Sequence, residues 1–583
     1  MNEPNGPRAL GGEMPRWSDL ASGVPAAGGE PLAELVRRTM PDGARALVVG
    51  PHDPALLDLL VKRAGHVTYV LRSLPDAEQA ADRYGSAEVV CGGFDRFDGS
   101  GSHEPYDVII ALDGLRRLVT PEHPESSWAR FRDRLTGMLA VDGTLLLGVE
   151  NPFGVHRLLA ADGAEFDSVR NWQPAQALLA PSSFDLFVGG VAEAGLRVDR
   201  LYAGYPSSEQ PGVLLGAGAL SDDIAKDVAV SACRKGLAGR ELLGDPCALV
   251  RQAFQGGQGE RFAASWFAVA RGAAAPVDGL PDVLVAEGPG AAEWSVPVEL
   301  VLDRPWSRRP CPESLEPRTS GRVTRVPADL AGPYPRGDLL LDLLVEACAA
   351  ADLVRLRALL TGYADWLAEE ASGRRAAFAT PGNVVLDGER FAMLDPGWAF
   401  AGPVPPEQVL ARMLLSFAAV LATGAHSHPW PPTLTVHDLT DLLHVMAGRP
   451  ADARLRGVAI QLEAEIGAAQ AGLPASARDR LANALACGEV AVAAAPMGHR
   501  ELLSAHRELT AGLRAVRSRA GWAERQLARK DKELAKQQVK IAKLEANLVS
   551  VRGSVSYRAG RVLTAPARRL AGLAGWTRSP GRR

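Results

Sequence analysis

Residues able to do proton chemistry sit together in one stretch, "ENPFGVHRLLA". Glu150 offers a carboxylate and His156 an imidazole, the side chain whose pKa lies nearest neutrality and the commonest general base. The competing reading is structural: Asn151 is a favoured helix cap, and a lone histidine on the helix behind it is surface. A second candidate is the loop Gly50-Pro51-His52-Asp53-Pro54, which follows the apolar run Leu47-Val48-Val49. Gly50 supplies a tight turn there, and in an open α/β sheet ligands lie beyond the strands' carboxyl ends. A third is the pair His426 and His428 in "GAHSHPW". Two histidines without further ligands are more often a turn than a metal site.

The elements that must position these groups alternate. Leu56, Leu57, Leu59 and Leu60 have helical spacing after the first strand, and a second strand follows at Val67 to Leu71. "AEVVC" (Ala87 to Cys91) reads as a third strand, and "YDVIIALDGLRRL" (Tyr106 to Leu118) holds a fourth, an apolar run ending at Asp113 and followed by a helical pattern. A helix, a turn at Asp142-Gly143 and a strand from Thr144 to Val149 come next, with further strands up to Leu215. Strands alternating with helices predict a doubly wound sheet.

At 583 residues the chain has room for several domains. A net charge of −4 gives no global pull toward nucleic acid or acidic lipid. The cysteines Cys91, Cys233, Cys247, Cys311, Cys348 and Cys487 form no CxxC pair, so neither a zinc site nor a disulfide framework is expected. No secretory leader and no bilayer-spanning run is read, which points to the cytoplasm.

The turn "AVDGTLLLGVEN" and the strands around it resemble the class I S-adenosylmethionine-dependent methyltransferases. The resemblance implies a Rossmann-like fold and S-adenosylmethionine as cofactor. It places the donor against Gly50, His52 and Asp53 in the first loop, Asp95 of "GGFDRF" near the adenine (strict alignment puts Gly93 there), and Asp113 at the end of the fourth strand. It also makes Glu150 and His156 the catalytic candidates. The chain departs from the pattern in three places, the first being that His52 and Pro54 replace the later glycines of the loop. Val48 stands where an acidic residue precedes the first glycine, and Leu71 and Arg72 stand where a carboxylate binds the ribose; neither can accept those hydrogen bonds.

Further on, "AAFATPGNVVLDGERFAMLDPGWAF" resembles the catalytic hairpin of the aminoglycoside phosphotransferase-like kinases. Asn383 and Asp395 match that family's metal-holding pair, with Gly388 turning the hairpin; the plainer reading of Asp395 is a turn cap. The stretch Ala376 to Thr380, where the catalytic acid belongs, has no acid. No lysine occurs between Lys235 and Lys530. Phosphoryl transfer depends on charge placed around the phosphate, so the reading is a pseudokinase with no metal site.

From Glu501 to Val551 a heptad stripe runs, with His506, Leu513, Ala520, Leu527, Leu534, Ile541 and Leu548 at a and Leu509, Val516, Ala523, Lys530, Gln537, Leu544 and Val551 at d; Lys530 and Gln537 weaken the seam but help fix register and strand number. Such spacing predicts a coiled coil, hence self-association as dimer or trimer. Residues 552–583 carry eight arginines and no acid, interleaved with Leu563, Leu570, Leu573 and Trp576. That mix suits an interfacial helix on anionic lipid, a frayed terminus being the plain alternative; no nucleic acid is expected.

The predicted organisation is a disordered leader (1–30), a methyltransferase-like α/β domain (31–220), a helical connector (221–276) and a degenerate kinase-like α+β domain (277–473). A helical linker (474–500), the coiled coil (501–551) and the basic tail (552–583) complete it. This order resembles the O-antigen-capping kinase–methyltransferases. It implies methylation or chain-end modification of a cell-envelope glycan at the inner face of the membrane. The alternative is an inactive scaffold that recruits glycosyltransferases.

Overall fold

The computed structural model describes residues 6–21, 24–99, 104–122, 127–159, 180–237, 242, 244–272, 277, 279–288, 292–302, 305–311, 315–369, 373–423, 426–431, 434–450, 452–486 and 499–571. They fall into two compact units, Met1–Met497 and Gly498–Arg583.

The first unit is built on one mixed sheet of thirteen strands among the described residues. Its parallel half contains β1 (Arg8–Gly11), β2 (Arg45–Val49), β3 (His66–Leu71), β4 (Glu88–Gly92), β5 (Tyr106–Ala111) and β6 (Leu139–Glu150). The spatial order is β1-β4-β3-β2-β5-β6, all pairs parallel. Leu47, Val48 and Val49 are fully buried, as a strand covered on both faces requires. Helices α1 (Glu30–Thr39), α2 (Pro54–Arg63) and α3 (Leu74–Arg83) cover or cross over the strands. Asp53 caps α2 by accepting the Ala55 N–H, with Pro54 in the first turn, and Ser73 caps α3.

Beyond β6 the order is β9 (Ser265–Arg271), β7 (Arg197–Tyr205) and β8 (Val213–Gly216). β9 runs antiparallel to both β6 and β7, so β7 is again parallel to β6. This corrects the expected boundary at residue 220. The run "SWFAVAR" is a central strand reached only after a helical excursion that includes Asp223–Gly236 and Pro246–Gln255. Local periodicity carries no signal for a pairing that spans so much chain. Nor does the turn at Asp142-Gly143 end an element; it is absorbed in β6, where the register with β5 shifts between the Tyr106 and Val108 pairs.

The sheet continues through β10 (Val283–Glu287), β11 (Val296–Val301) and β12 (Ser307–Pro310), all antiparallel. The expected division at 276 therefore cuts a continuous sheet. Two small sheets follow: β13 (Arg318–Ser320), β14 (Val323–Arg325) and β19 (Trp398–Phe400), then β16 (Asp338–Leu339), β17 (Val384–Asp387) and β18 (Arg390–Met393). The remaining sheet strand, β15 (Gly332–Pro333), pairs with β12. A separate core binds the small sheets to the helices Leu340–Ala349, Leu353–Glu369, Pro406–Thr423, Val436–Met446 and Ala453–Gln470.

The leader expected to be disordered is the largest correction. Residues 8–11 form β1 on the sheet edge, and the chain then crosses the carboxyl ends of the parallel strands. Its backbone finds partners all along: Met14 N–H donates to Arg72 O (2.9 Å), Ala27 N–H to Pro51 O (3.1 Å), and Asp53 N–H to Ala27 O (2.7 Å). A segment poor in apolar residues is held here by hydrogen bonds that composition does not reveal.

The second unit contains helices His499–Gly553 and Val555–Ala571. No described helix is long and apolar enough to cross a membrane.

Candidate donor crevice

The carboxyl ends of β2, β3, β4, β5 and β6 converge where a doubly wound sheet holds its ligand. Gly50 ends β2 at φ 86, a conformation glycine adopts freely, and a Cβ there would press on Asp113 at 3.3 Å. His52 is buried directly behind it. Its Nδ1 lies 2.8 Å from Gly50 O, and its Nε2 accepts the Leu112 N–H at 3.4 Å, which assigns the neutral Nδ1–H tautomer. Burial pulls its pKa down from 6.5 to about 4, against the pull of the Gly50 carbonyl and with help from the Arg117 charge. His52 thus tethers the β2 loop to the β5 loop. Asp53 is engaged as the α2 cap.

At the end of β3, where the family resemblance asks for a carboxylate, Arg72 carries the opposite charge. It is 1 % exposed, and its partner Asp19, from the leader, is 2 % exposed. Nη2 and Nε of Arg72 donate to Asp19 at 2.7 and 2.9 Å, and Nη1 donates to Val119 O at 2.8 Å. Asp76 of α3 accepts the Asp19 N–H at 2.7 Å, and Ser73 Oγ donates to Trp17 O at 2.7 Å. After β5, Arg117 grips Asp113 through both oxygens and donates to Pro25 O at 2.7 Å, so the strap is tied on this side too. Burial pushes the Asp113 carboxyl up to about 7 while the Arg117 guanidinium draws it back. Asp95 lies in the short turn Phe94–Arg96, with its carboxylate folded over Gly93.

Glu150 and His156 do meet, with Nε2 3.1 Å from Oε1. Glu150 also accepts from Arg116 at 2.6 Å and from Arg157. Burial would raise its pKa, but the His156 hydrogen bond and the two guanidiniums outweigh burial and hold it well below the usual carboxylate range. A carboxylate so deeply stabilised is a poor proton acceptor. Asn151 is not the helix cap foreseen. It is buried, donates to Arg261 O and Ala263 O at 2.7 Å each, and accepts the Phe153 N–H.

The space left between Asp113, Arg116, Arg117, Glu150, Ser208 and Glu209 is a cavity of about 30 Å³. That is room for a water molecule, whereas pockets for nucleoside-sized ligands run to roughly 300–1,000 Å³. Among the described residues, those lining this crevice do not fit S-adenosylmethionine. The ribose carboxylate is replaced by a guanidinium, that guanidinium is spent on the strap, and the strap covers the strand ends. Sequence reasoning missed Asp19, Arg72 and Arg117 as a set; Arg72 stood out only as a wrong charge. A larger cavity of about 440 Å³ lies elsewhere, between Glu293, Arg318 and Gly472 to Pro474. In its lining the Arg318 guanidinium bonds the Glu293 backbone carbonyl.

The stretch read as a kinase hairpin does form a hairpin, with Gly388 at φ 62 turning β17 into β18. Its two marker residues hold protein rather than face a ligand. The Asn383 amide donates to Phe378 O and Asp395 O (3.0 Å each) and accepts the Asp395 N–H at 2.7 Å. Asp395 accepts from Arg325 at 2.6 and 2.8 Å, from Gly397 N–H at 2.9 Å and from Trp398 Nε1 at 3.1 Å. Burial would raise the Asp395 pKa, but the Arg325 charge lowers it on balance. The Arg325 guanidinium also stacks 4.7 Å over the Trp398 ring. A cation supplied by the chain thus sits on the carboxylate. Among the described residues no cluster of three metal-ligating side chains occurs, and His426 and His428 gain no third ligand.

The chain matches no protein-family model and no curated protein. Solved structures similar to it at low identity include S-adenosylmethionine-dependent methyltransferases and a [4+2]-cyclase. The methyltransferase CcbJ from Streptomyces caelestis is 13 % identical, over 46 % of this chain and 99 % of that one, at a TM-score of 0.27. A TehB-like S-adenosylmethionine-dependent methyltransferase from Corynebacterium glutamicum is 17 % identical, over 34 % and 86 %, at 0.22. The N-methyltransferase NodS from Bradyrhizobium japonicum, in complex with S-adenosyl-L-homocysteine, is 18 % identical, over 30 % and 79 %, at 0.21. Strand order and register, rather than these likenesses, carry the assignment: a mixed α/β sheet consistent with the Rossmann-like methyltransferase fold.

Proposed function

We propose that this chain is a non-catalytic relative of the methyltransferases, a scaffold whose donor crevice has been turned into packing. One observation carries the reading: the buried Asp19–Arg72 pair sits at the end of β3, where the resemblance implies a ribose-binding carboxylate, and pins the leader across the strand ends. The rest of the crevice agrees. Asp113, Glu150 and His52 are each engaged within the protein, and the space they leave is water-sized. The hairpin at Asn383 and Asp395 supports the same reading for the kinase-like part. Its carboxylate is neutralised by Arg325, and the neighbouring stretch has no acid. What remains for contacts is the exposed heptad helix and the basic tail. These fit assembly of glycan-synthesis enzymes at an anionic membrane surface, in the order that resembles the O-antigen-capping enzymes.

A second reading has one observation in its favour. The Glu150–His156 contact lies at the edge of the strands where a methyl acceptor would sit. In that reading the strap is a lid, and the chain transfers a methyl group from S-adenosylmethionine to a glycan hydroxyl. Calorimetry of the full chain with S-adenosylmethionine and with S-adenosyl-L-homocysteine separates the two. Absence of heat up to millimolar ligand supports the scaffold. Micromolar binding that is lost in Gly50→Trp overturns it.

A further inference from the structure

The helix His499–Gly553 carries its heptad stripe unpaired. Leu513, Leu527, Leu534, Ile541, Leu544 and Leu548 are each 48–62 % exposed, although they recur at the spacing that buries side chains in a seam. We infer that the stripe is covered by a second copy of this chain, aligned parallel and in register. The inference deepens the scaffold reading by naming a partner, and it can fail without that reading failing, since it uses nothing from the crevice.

The flanking charges choose the direction. With Leu513, Leu527, Leu534, Ile541 and Leu548 at a, the g positions include Arg519, Glu533 and Lys540, and the e positions include Glu524, Asp531 and Glu545. In a parallel pair each g residue meets the e residue five places on in its partner. Arg519 then meets Glu524, and Lys540 meets Glu545, each contact occurring twice by symmetry. No like-charged g–e contact arises in that alignment. Laying the stripe antiparallel over its full length puts Arg519 against Lys540 and Glu524 against Asp531, so every charged pair named repels. Lys530 and Gln537 at d bear on strand number. In a two-stranded seam the Lys530 ammonium can reach past the edge toward Asp531. A third strand would bring three ammoniums to the axis, where desolvation is costlier.

Parallel pairing has a geometric consequence within this unit. Both copies of the helix Val555–Ala571, with Arg558 and Arg561, then emerge at one end of the rod. A surface that binds one basic helix weakly binds two through effective concentration.

Sedimentation equilibrium of the full chain tests the inference, with Lys540→Glu as the discriminating variant. A parallel dimer is expected. Lys540→Glu turns two attractions into repulsions and should raise its dissociation constant about tenfold, and Lys540→Glu/Glu545→Lys should restore it. Helicity by circular dichroism, read well above the dissociation constant, should not fall in either variant, since Lys540→Glu puts a carboxylate four residues after Lys536 and three before Lys543. Tighter association of Lys540→Glu would show the antiparallel arrangement and overturn the inference. A monomer at tens of micromolar, or a trimer, would overturn it as well.

Discussion

Asp19→Ala removes one member of a pair that has almost no water contact. Arg72 then keeps its backbone acceptors Val119 O at 2.8 Å and Arg116 O at 3.3 Å but loses the Asp19 carboxylate that takes two of its hydrogen bonds. Breaking a buried pair on one side costs about 3–5 kcal/mol, because the surviving charge stays desolvated. That is a large part of the roughly 5–15 kcal/mol that holds an ordinary domain together. Removing both charges, as in Asp19→Ala/Arg72→Met, leaves no orphan, and against the singles Asp19→Ala and Arg72→Met the cost should fall to about 1–2 kcal/mol. The double-mutant cycle should therefore show a coupling of at least about 2 kcal/mol. Urea titration followed by tryptophan fluorescence measures it, with Trp17 reporting locally because its Nε1 donates to Asp19 at 2.9 Å. Limited proteolysis should cut the leader of Asp19→Ala, near residues 12–24, well before the rest of the chain. The reasoning is refuted if Asp19→Ala lies within 0.5 kcal/mol of the native chain, a bound roughly that of ordinary surface substitutions, or if the two single losses add up to the double.

Three other outcomes follow from the same geometry. His52 is held neutral, with its pKa lowered from 6.5 to about 4, so the folded state binds fewer protons than the unfolded one below pH 6.5. Its contribution is complete above pH 6.5 and falls by about 3 kcal/mol as pH drops to 4; His52→Gln should flatten that part of the stability–pH curve in urea melts. Arg325→Ala should destabilise the second core by about 3–5 kcal/mol by stranding the buried Asp395 carboxylate, read as an earlier urea transition; an unchanged midpoint would refute the role given to that pair. Vesicles rich in phosphatidylserine should float the full chain in low salt but not a chain ending at residue 554, and equal flotation of the two would remove the tail from the account.

Much of the parallel half of the sheet was legible because its signals are local. Leu47 to Val49 and Tyr106 to Ala111 are short apolar runs, and Asp53-Pro54 marks a helix start. The Gly388 turn was legible for the same reason, since its chemistry is written in one residue. What escaped reading was pairing across long stretches of chain. β9 enters the middle of the sheet from more than a hundred residues beyond β6, and β1 adds to its edge from a segment with no periodicity at all. The crevice shows the same divide. Arg72 could be seen as the wrong charge for a ribose, but its partner Asp19 is 53 positions away. Nothing in "RWSDLASG" announces a buried carboxylate. Glu150 and His156 were legible as neighbours; that two arginines disable the carboxylate as a base was not.

The central claim is that the leader is a permanent part of the crevice rather than a lid. Hydrogen exchange at the amides of Met14, Asp19 and Ala27, with and without S-adenosylmethionine, tests it most directly. The account requires these amides to be protected as strongly as the neighbouring strands β3 and β4, and unchanged by millimolar donor. Fast exchange at all three, or protection that shifts when donor is added, would contradict it.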